Sequence, residues 1–266
     1  MNPLPASTGW SWIKRGFALF GKQPIELSTL FLAFMFLVLA LGLLPAEIGN
    51  ISLLLLTPVF TMGFMQACVE VERGKRAHPG LLLTGFRSPA FRTLLLLGVM
   101  YLLASLLASV VFAQIDDSVF RKVLERKIAV TSPEVQNSSF LYAMLASFLV
   151  YTPAAMAFWY AAPLIAWKRM KLGKAMFYSF FAVWRAHRIF LVYGLGWVGI
   201  TFVFFFVLTV AAILTGGNQT LSVLITMPAC VALFSIFFCT FYPSYTDIFG
   251  KPDGAADTPV ADGLNR

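Results

Sequence analysis

Six long apolar runs decide what this chain can become. They lie at about 27–44, 48–69, 93–115, 140–167, 189–214 and 221–242. Each is close to or above the roughly 18 residues that carry a helix across bilayer hydrocarbon. Backbone N–H and C=O groups find no water at that depth, so such runs fold as helices that bond internally. The sequence therefore predicts an all-α fold: a polytopic membrane bundle of six transmembrane helices forming one domain over 1–252. The Ala/Asp/Gly-rich tail, 253–266, is expected to be disordered and cytoplasmic. Composition agrees, with 59 % apolar residues and 27 Phe, against the roughly 45–50 % apolar share of a soluble domain.

Charge orients the bundle. Of the 20 Lys and Arg, 16 fall on one side of the six runs: the N-terminus, the 70–92 loop, the 168–188 stretch and the residues after the sixth run. The other side holds Arg121, Lys122, Arg126 and Lys127, balanced by Asp116, Asp117, Glu125 and Glu134. The positive-inside bias puts both termini in the cytoplasm. The net charge of +8 comes from residues that flank apolar runs, not from a free face with stacking aromatics. Anionic lipid headgroups, and not nucleic acid, are the expected partners.

The stretch 164–192 is the most distinctive. It carries Lys168, Arg169, Lys171, Lys174, Arg185 and Arg188 and no acid. Between them Met176–Trp184 is too aromatic for a solvated loop. At helical spacing Phe177, Phe180 and Trp184 share one side, and Lys174, Tyr178 and Arg185 a neighbouring one. This predicts an amphipathic helix at the membrane surface. A second is expected at the start of the chain, after a cap at Ser7 or Thr8. There Trp10, Ile13, Phe17 and Phe20 form an apolar stripe opposite Arg15 and Lys22. Leu81–Phe86 is a further interfacial candidate, and Val119–Lys127 reads as a short amphipathic helix. Expected contacts with anionic lipid are Arg15, Lys22, Lys168, Arg169, Lys171, Lys174 and Arg185.

Short turns at Pro45–Glu47 and Thr215–Gln219 pair neighbouring spans, so the chain parses as three helical hairpins. Each even-numbered span carries a proline beside a threonine: Thr57–Pro58, Thr152–Pro153, and Thr226 with Pro228. A helix proline leaves the carbonyl four residues earlier unbonded. The three kinks could turn inward and form a polar spot at mid-membrane. Pro153 and Pro163 also predict a kink in the fourth span. Mitochondrial carriers are likewise three hairpins, but their Pro-x-[DE]-x-x-[KR] signature is missing at Pro58, Pro153 and Pro228.

No P-loop, H-E-x-x-H or G-x-S-x-G motif occurs. His78 and His187 stand apart in the sequence. Cys68, Cys230 and Cys239 lie inside apolar runs without metal-ligand spacing. Asp247, after the sixth run, reads as a contact for a neighbouring Arg. The span interiors hold no Asp, Glu, Lys, Arg or His, whereas ion-coupled pumps keep an ionisable group at depth. No cofactor, metal or catalytic residue is expected.

Four stretches carry a resemblance: Gly9–Phe20, Thr57–Phe60, Phe158–Leu164 and Tyr242–Phe249. Together they resemble an uncharacterised family of bacterial multi-spanning inner-membrane proteins, over nearly the whole chain. The resemblance implies a bacterial inner-membrane location and no particular chemistry. The expected role is non-enzymatic, organising lipid or partner proteins. The alternative is a transporter or channel for a small neutral or amphiphilic solute. Reporter fusions at Ala77, Gly173 and Gly254 should read cytoplasm, and those at Asn50, Val130 and Gly217 periplasm. A periplasmic signal at Gly173 would overturn the topology.

Overall fold

The computed structural model describes residues 4–124, 139–216 and 218–252. Among these residues six helices are long and apolar enough to cross a membrane, in the places the apolar runs predict. Span 1 is Pro24–Gly42, span 2 Ala46–Glu72 and span 3 the first part of Phe91–Leu124. Span 4 is Phe140–Phe158 continued by Ala161–Ala166, span 5 is His187–Leu214 and span 6 Gln219–Phe249. The two helices expected at the membrane surface are Thr8–Lys22 (the N-terminal helix) and Leu172–Arg185 (the basic helix). The end of the bundle that carries both is called the basic end.

Local chemistry sets the boundaries. Pro24 occupies the first turn of span 1, where no N–H is needed. The Asn218 side chain accepts from the Thr220 and Leu221 N–H groups, at 3.0 and 3.2 Å, and caps span 6. Ser7 precedes the N-terminal helix but makes no side-chain cap bond. Asp116 leaves helical geometry (φ −146°, ψ 69°), so span 3 ends there and a further helical stretch runs to Leu124. The rest of the 119–127 segment and the 253–266 tail lie outside the described residues. Span 6 runs past residue 242 to Phe249 with Pro243 inside it. Pro153 stays within unbroken helix; span 4 is interrupted at Trp159–Tyr160 instead, just ahead of Pro163.

Spans 1 and 2 pack side by side, as do spans 3 and 4, and span 3 stands against span 2. Gly98 permits that last approach, since a Cβ there would fall 2.1 Å from the Leu55 carbonyl oxygen. Span 6 packs on spans 1 and 2, with Phe64 stacked on Phe238 at 4.1 Å. Leu81–Phe86 is not one continuous helix. It folds as a 3₁₀ turn (Pro79–Leu83) and a short helix (Thr84–Arg87) against span 2, with Leu82 and Gly85 buried.

The third hairpin is different. Spans 5 and 6 barely touch, because the N-terminal helix lies between them and packs on both. Two glycines allow it. A Cβ on Gly9 would lie 2.3 Å from the Ile189 carbonyl oxygen, and one on Gly16 2.2 Å from Thr240 Cγ2. Trp12 and Ile13 are buried with Ile189, Tyr193, Trp197 and Ile236. The expected single stripe is thereby corrected: Ile13 faces the bundle with Trp12, Gly16 and Leu19, while Trp10 and Phe17 remain exposed. Glycine adds nothing to an apolar pattern, so the face of closest approach is invisible to amphipathicity.

Gly16→Ala should lower stability by about 1–3 kcal/mol through overpacking against Thr240. Gly21, where an added Cβ would meet nothing within 4 Å, is the control. Gly21→Ala should be neutral or gain up to about 1 kcal/mol from helix propensity. Thermal unfolding in detergent reads both, and equal midpoints would show that the Gly16 contact is not tight.

Candidate functional site

Most buried polar groups gather at the basic end. The Trp12 indole N–H donates to Asp247 Oδ2 at 2.9 Å. Arg15 pairs with the same oxygen and also donates to the Pro243 carbonyl at 3.3 Å. The contact expected for Asp247 is thus Arg15. Seven residues nearer the middle of span 6, Thr240 Oγ1 lies 2.7 Å from the Tyr193 hydroxyl of span 5. Aromatic rings close the space around these groups. Trp159 stacks on Phe241 at 4.7 Å, and Tyr160 meets Phe249 edge-on at 5.4 Å. A neighbouring knot joins span 2 to span 6: Tyr242 donates to Glu72, which also pairs with Lys251 at 3.3 Å. Each carboxylate here is engaged in holding helices together. Among the described residues no three His, Cys, Asp or Glu converge as a metal site. His187 Nδ1 sits 3.0 Å from the Trp184 carbonyl, at its own helix junction.

The interruption of span 4 is stitched by a residue the sequence reading passed over. Ser179 of the basic helix is wholly buried. Its hydroxyl donates to the Met156 carbonyl at 2.8 Å and accepts from the Tyr160 N–H at 2.9 Å. Those two backbone groups would bond each other in an unbroken helix. The serine is inserted into the ladder, a recognised cause of a kink. Ala175 and Val183 flank it on the buried face, so this helix is anchored to span 4 along one side.

The structure does not bring the three Thr–Pro pairs together. Pro153 and Pro228 are exposed while Pro58 is buried, and spans 2 and 4 each pack on span 3. Nor do the threonines serve the freed carbonyls. Thr57 Oγ1 donates to Leu53 at 2.8 Å and Thr152 Oγ1 to Phe148 at 2.7 Å. A helical threonine reaches the carbonyl four residues before itself, which is one residue short of the carbonyl that the following proline releases. Thr226 is half-buried on the outer half of span 6.

The basic residues divide. Arg15 is turned to Asp247, whereas Lys22, Lys168, Arg169, Lys171, Lys174 and Arg185 are exposed and make no ion pair among the described residues. On the basic helix Phe177, Tyr178, Phe181 and Trp184 are exposed with them, and Phe180 is half-buried. Lys174 Nζ lies 5.7 Å above the Tyr178 ring.

A lateral groove of about 760 Å³ opens between spans 5 and 6, beneath the N-terminal helix. Trp10 and Phe17 roof it, Gly196, Gly199 and Val203 form one wall, and Ala229, Ala232 and Ile236 the other. Its lining is almost wholly apolar. The glycines of span 5 are visible in the sequence. Small residues usually mark close helix packing, so the gap could not be read from them.

Two substitutions separate the roles at Asp247. Removing its carboxylate leaves the buried Trp12 N–H without an acceptor, so Asp247→Ala should cost about 1–3 kcal/mol. Arg15 is 44 % exposed, and Arg15→Ala should cost about 0–1 kcal/mol. Chemical unfolding of the two variants checks this; equal losses would mean that the guanidinium is the anchor.

No family model matches the chain, and no solved structure matches it. A probable inner membrane protein of Burkholderia thailandensis (BTH_II0599) is 32 % identical over 259 residues, which is 95 % of each chain. Identity at that level over nearly the full length, together with six apolar spans, means that this chain belongs to the family of that bacterial inner membrane protein.

Proposed function

We propose that this inner-membrane protein is a non-enzymatic organiser of lipid or partner proteins, with its basic end and both termini in the cytoplasm. The observation that carries the reading is the apolar groove between spans 5 and 6, walled by the two spans and roofed by Trp10 and Phe17. An apolar seam between two spans suits a molecule arriving from the bilayer. The exposed cations of the 168–185 stretch support a role at an anionic surface, and the exposed aromatics beside them suit the headgroup layer. The alternative, transport of a small neutral or amphiphilic solute, drew on a central spot formed by Thr57, Thr152 and Thr226. Their dispersal leaves it the weaker reading.

Changing Lys168, Arg169, Lys171 and Lys174 together to Gln tests the proposal. Each base near an anionic surface contributes on the order of 1 kcal/mol. Native mass spectrometry of the variant should therefore show anionic-lipid retention reduced by about tenfold or more, or reporter fusions should show disturbed insertion. Unchanged retention with unchanged topology would count against it.

A further inference from the structure

We infer that the groove between spans 5 and 6 holds one acyl chain of an anionic phospholipid whose phosphate meets Lys14 and Arg188. The inference rests on the lipid-organising role proposed for the protein and gives it a place and a ligand.

The groove is of ligand size, since 760 Å³ lies within the roughly 300–1,000 Å³ of small-molecule sites. Part of its wall faces open space: an added Cβ on Gly199 would meet nothing within 4 Å, whereas one on Gly196 would meet Ile13 and Trp10 under the roof. Hydrocarbon, not water, is what an apolar gap at this depth takes up. A transmembrane helix from another chain suits it poorly, because such a helix must cross the full hydrocarbon thickness of about 30 Å. Trp10 and Phe17 close the basic end of the groove. A flexible chain that bends out beneath that roof fits, with its headgroup beside the N-terminal helix.

Charge beside the roof selects the headgroup. Lys14 follows Trp10 by four residues and precedes Phe17 by three, which puts it on the same exposed flank of the helix. Arg188 precedes Leu195 by seven residues and Gly199 by eleven, on the groove face of span 5. Both side chains are exposed, and neither makes an ion pair among the described residues. Arg15, next to Lys14, is taken by Asp247. Two exposed cations with no ion-pair partner among the described residues thus lie on the two helices that border the roofed end of an apolar slot, the pattern that an anionic amphiphile matches.

The test uses the full chain in nanodiscs of mixed phosphatidylethanolamine and phosphatidylglycerol, released into mild detergent for native mass spectrometry. The wild type should carry one phosphatidylglycerol. Ala232→Phe, which fills the groove, should lose it at least tenfold. Lys14→Gln with Arg188→Gln, both on exposed positions, should keep a bound lipid but shift it toward phosphatidylethanolamine. If Ala232→Phe retains phosphatidylglycerol as the wild type does, the groove is not the site, and the lipid-organising role stands with its lipid elsewhere. If the wild type retains no lipid, both fall. A dimer that Ala232→Phe abolishes would make the groove a self-association face and overturn the inference. Should Ala232→Phe melt lower than the wild type, the double Gln variant decides alone: an unchanged phosphatidylglycerol preference overturns the inference.

Discussion

The approach of the N-terminal helix to spans 5 and 6 governs the shape of this molecule. In a bilayer, helices gain little from hiding apolar surface from one another, because the lipid is equally apolar. Close packing and interhelical hydrogen bonds have to hold them together instead. Gly9 and Gly16 supply the closeness, against Ile189 and Thr240. The Trp12–Asp247 hydrogen bond supplies the polar lock and fixes how far the helix slides along span 6. A helix about 10 Å across, inserted at one end of a hairpin, keeps the two spans from closing below it. The lateral groove follows from the wedge, and its roof is the other face of the same helix.

The basic end is thereby the most interconnected part of the protein. Span 4 reaches it through a helix break whose two backbone groups are both satisfied by Ser179. Span 6 reaches it by staying helical through Pro243 as far as Phe249. Trp159 and Tyr160 at the break pack on Phe241, Phe249 and Tyr245 of that extension. The far halves of spans 4, 5 and 6 show mostly exposed apolar side chains, such as Phe148, Phe206 and Leu224. One end of the bundle is built by specific contacts, and the other meets its surroundings as a spanning surface.

The spans were legible because run length and the absence of charge are properties of the sequence itself; only turn-scale differences separate the apolar runs from the helices. The basic helix was legible for a similar reason, since its aromatic and cationic sides alternate at helical spacing. The wedge was not. Gly9 and Gly16 carry no hydropathy signal, and Trp12 looks like one more aromatic until Asp247, 235 residues away, supplies its partner. Ser179 is an ordinary helix residue until the break in span 4 presents two backbone groups to it. The Thr–Pro pairs misled in the opposite sense. Local hydrogen bonding to Leu53 and Phe148 won over the tertiary site that the spacing suggested. Lys14 was passed over beside Arg15, and the structure exchanges their prospects: Arg15 is bound to protein and Lys14 is exposed at the groove flank.

The wedge itself can be tested by placing a benzophenone amino acid at position 12 in the full chain, in native membranes, and mapping its photo-adduct by mass spectrometry. Docking between the spans predicts a cross-link within the same chain, to span 5 or span 6 near residues 190–193 or 240–247, the surroundings of Trp12. An adduct formed with lipid alone would place that face on the membrane surface and contradict the account.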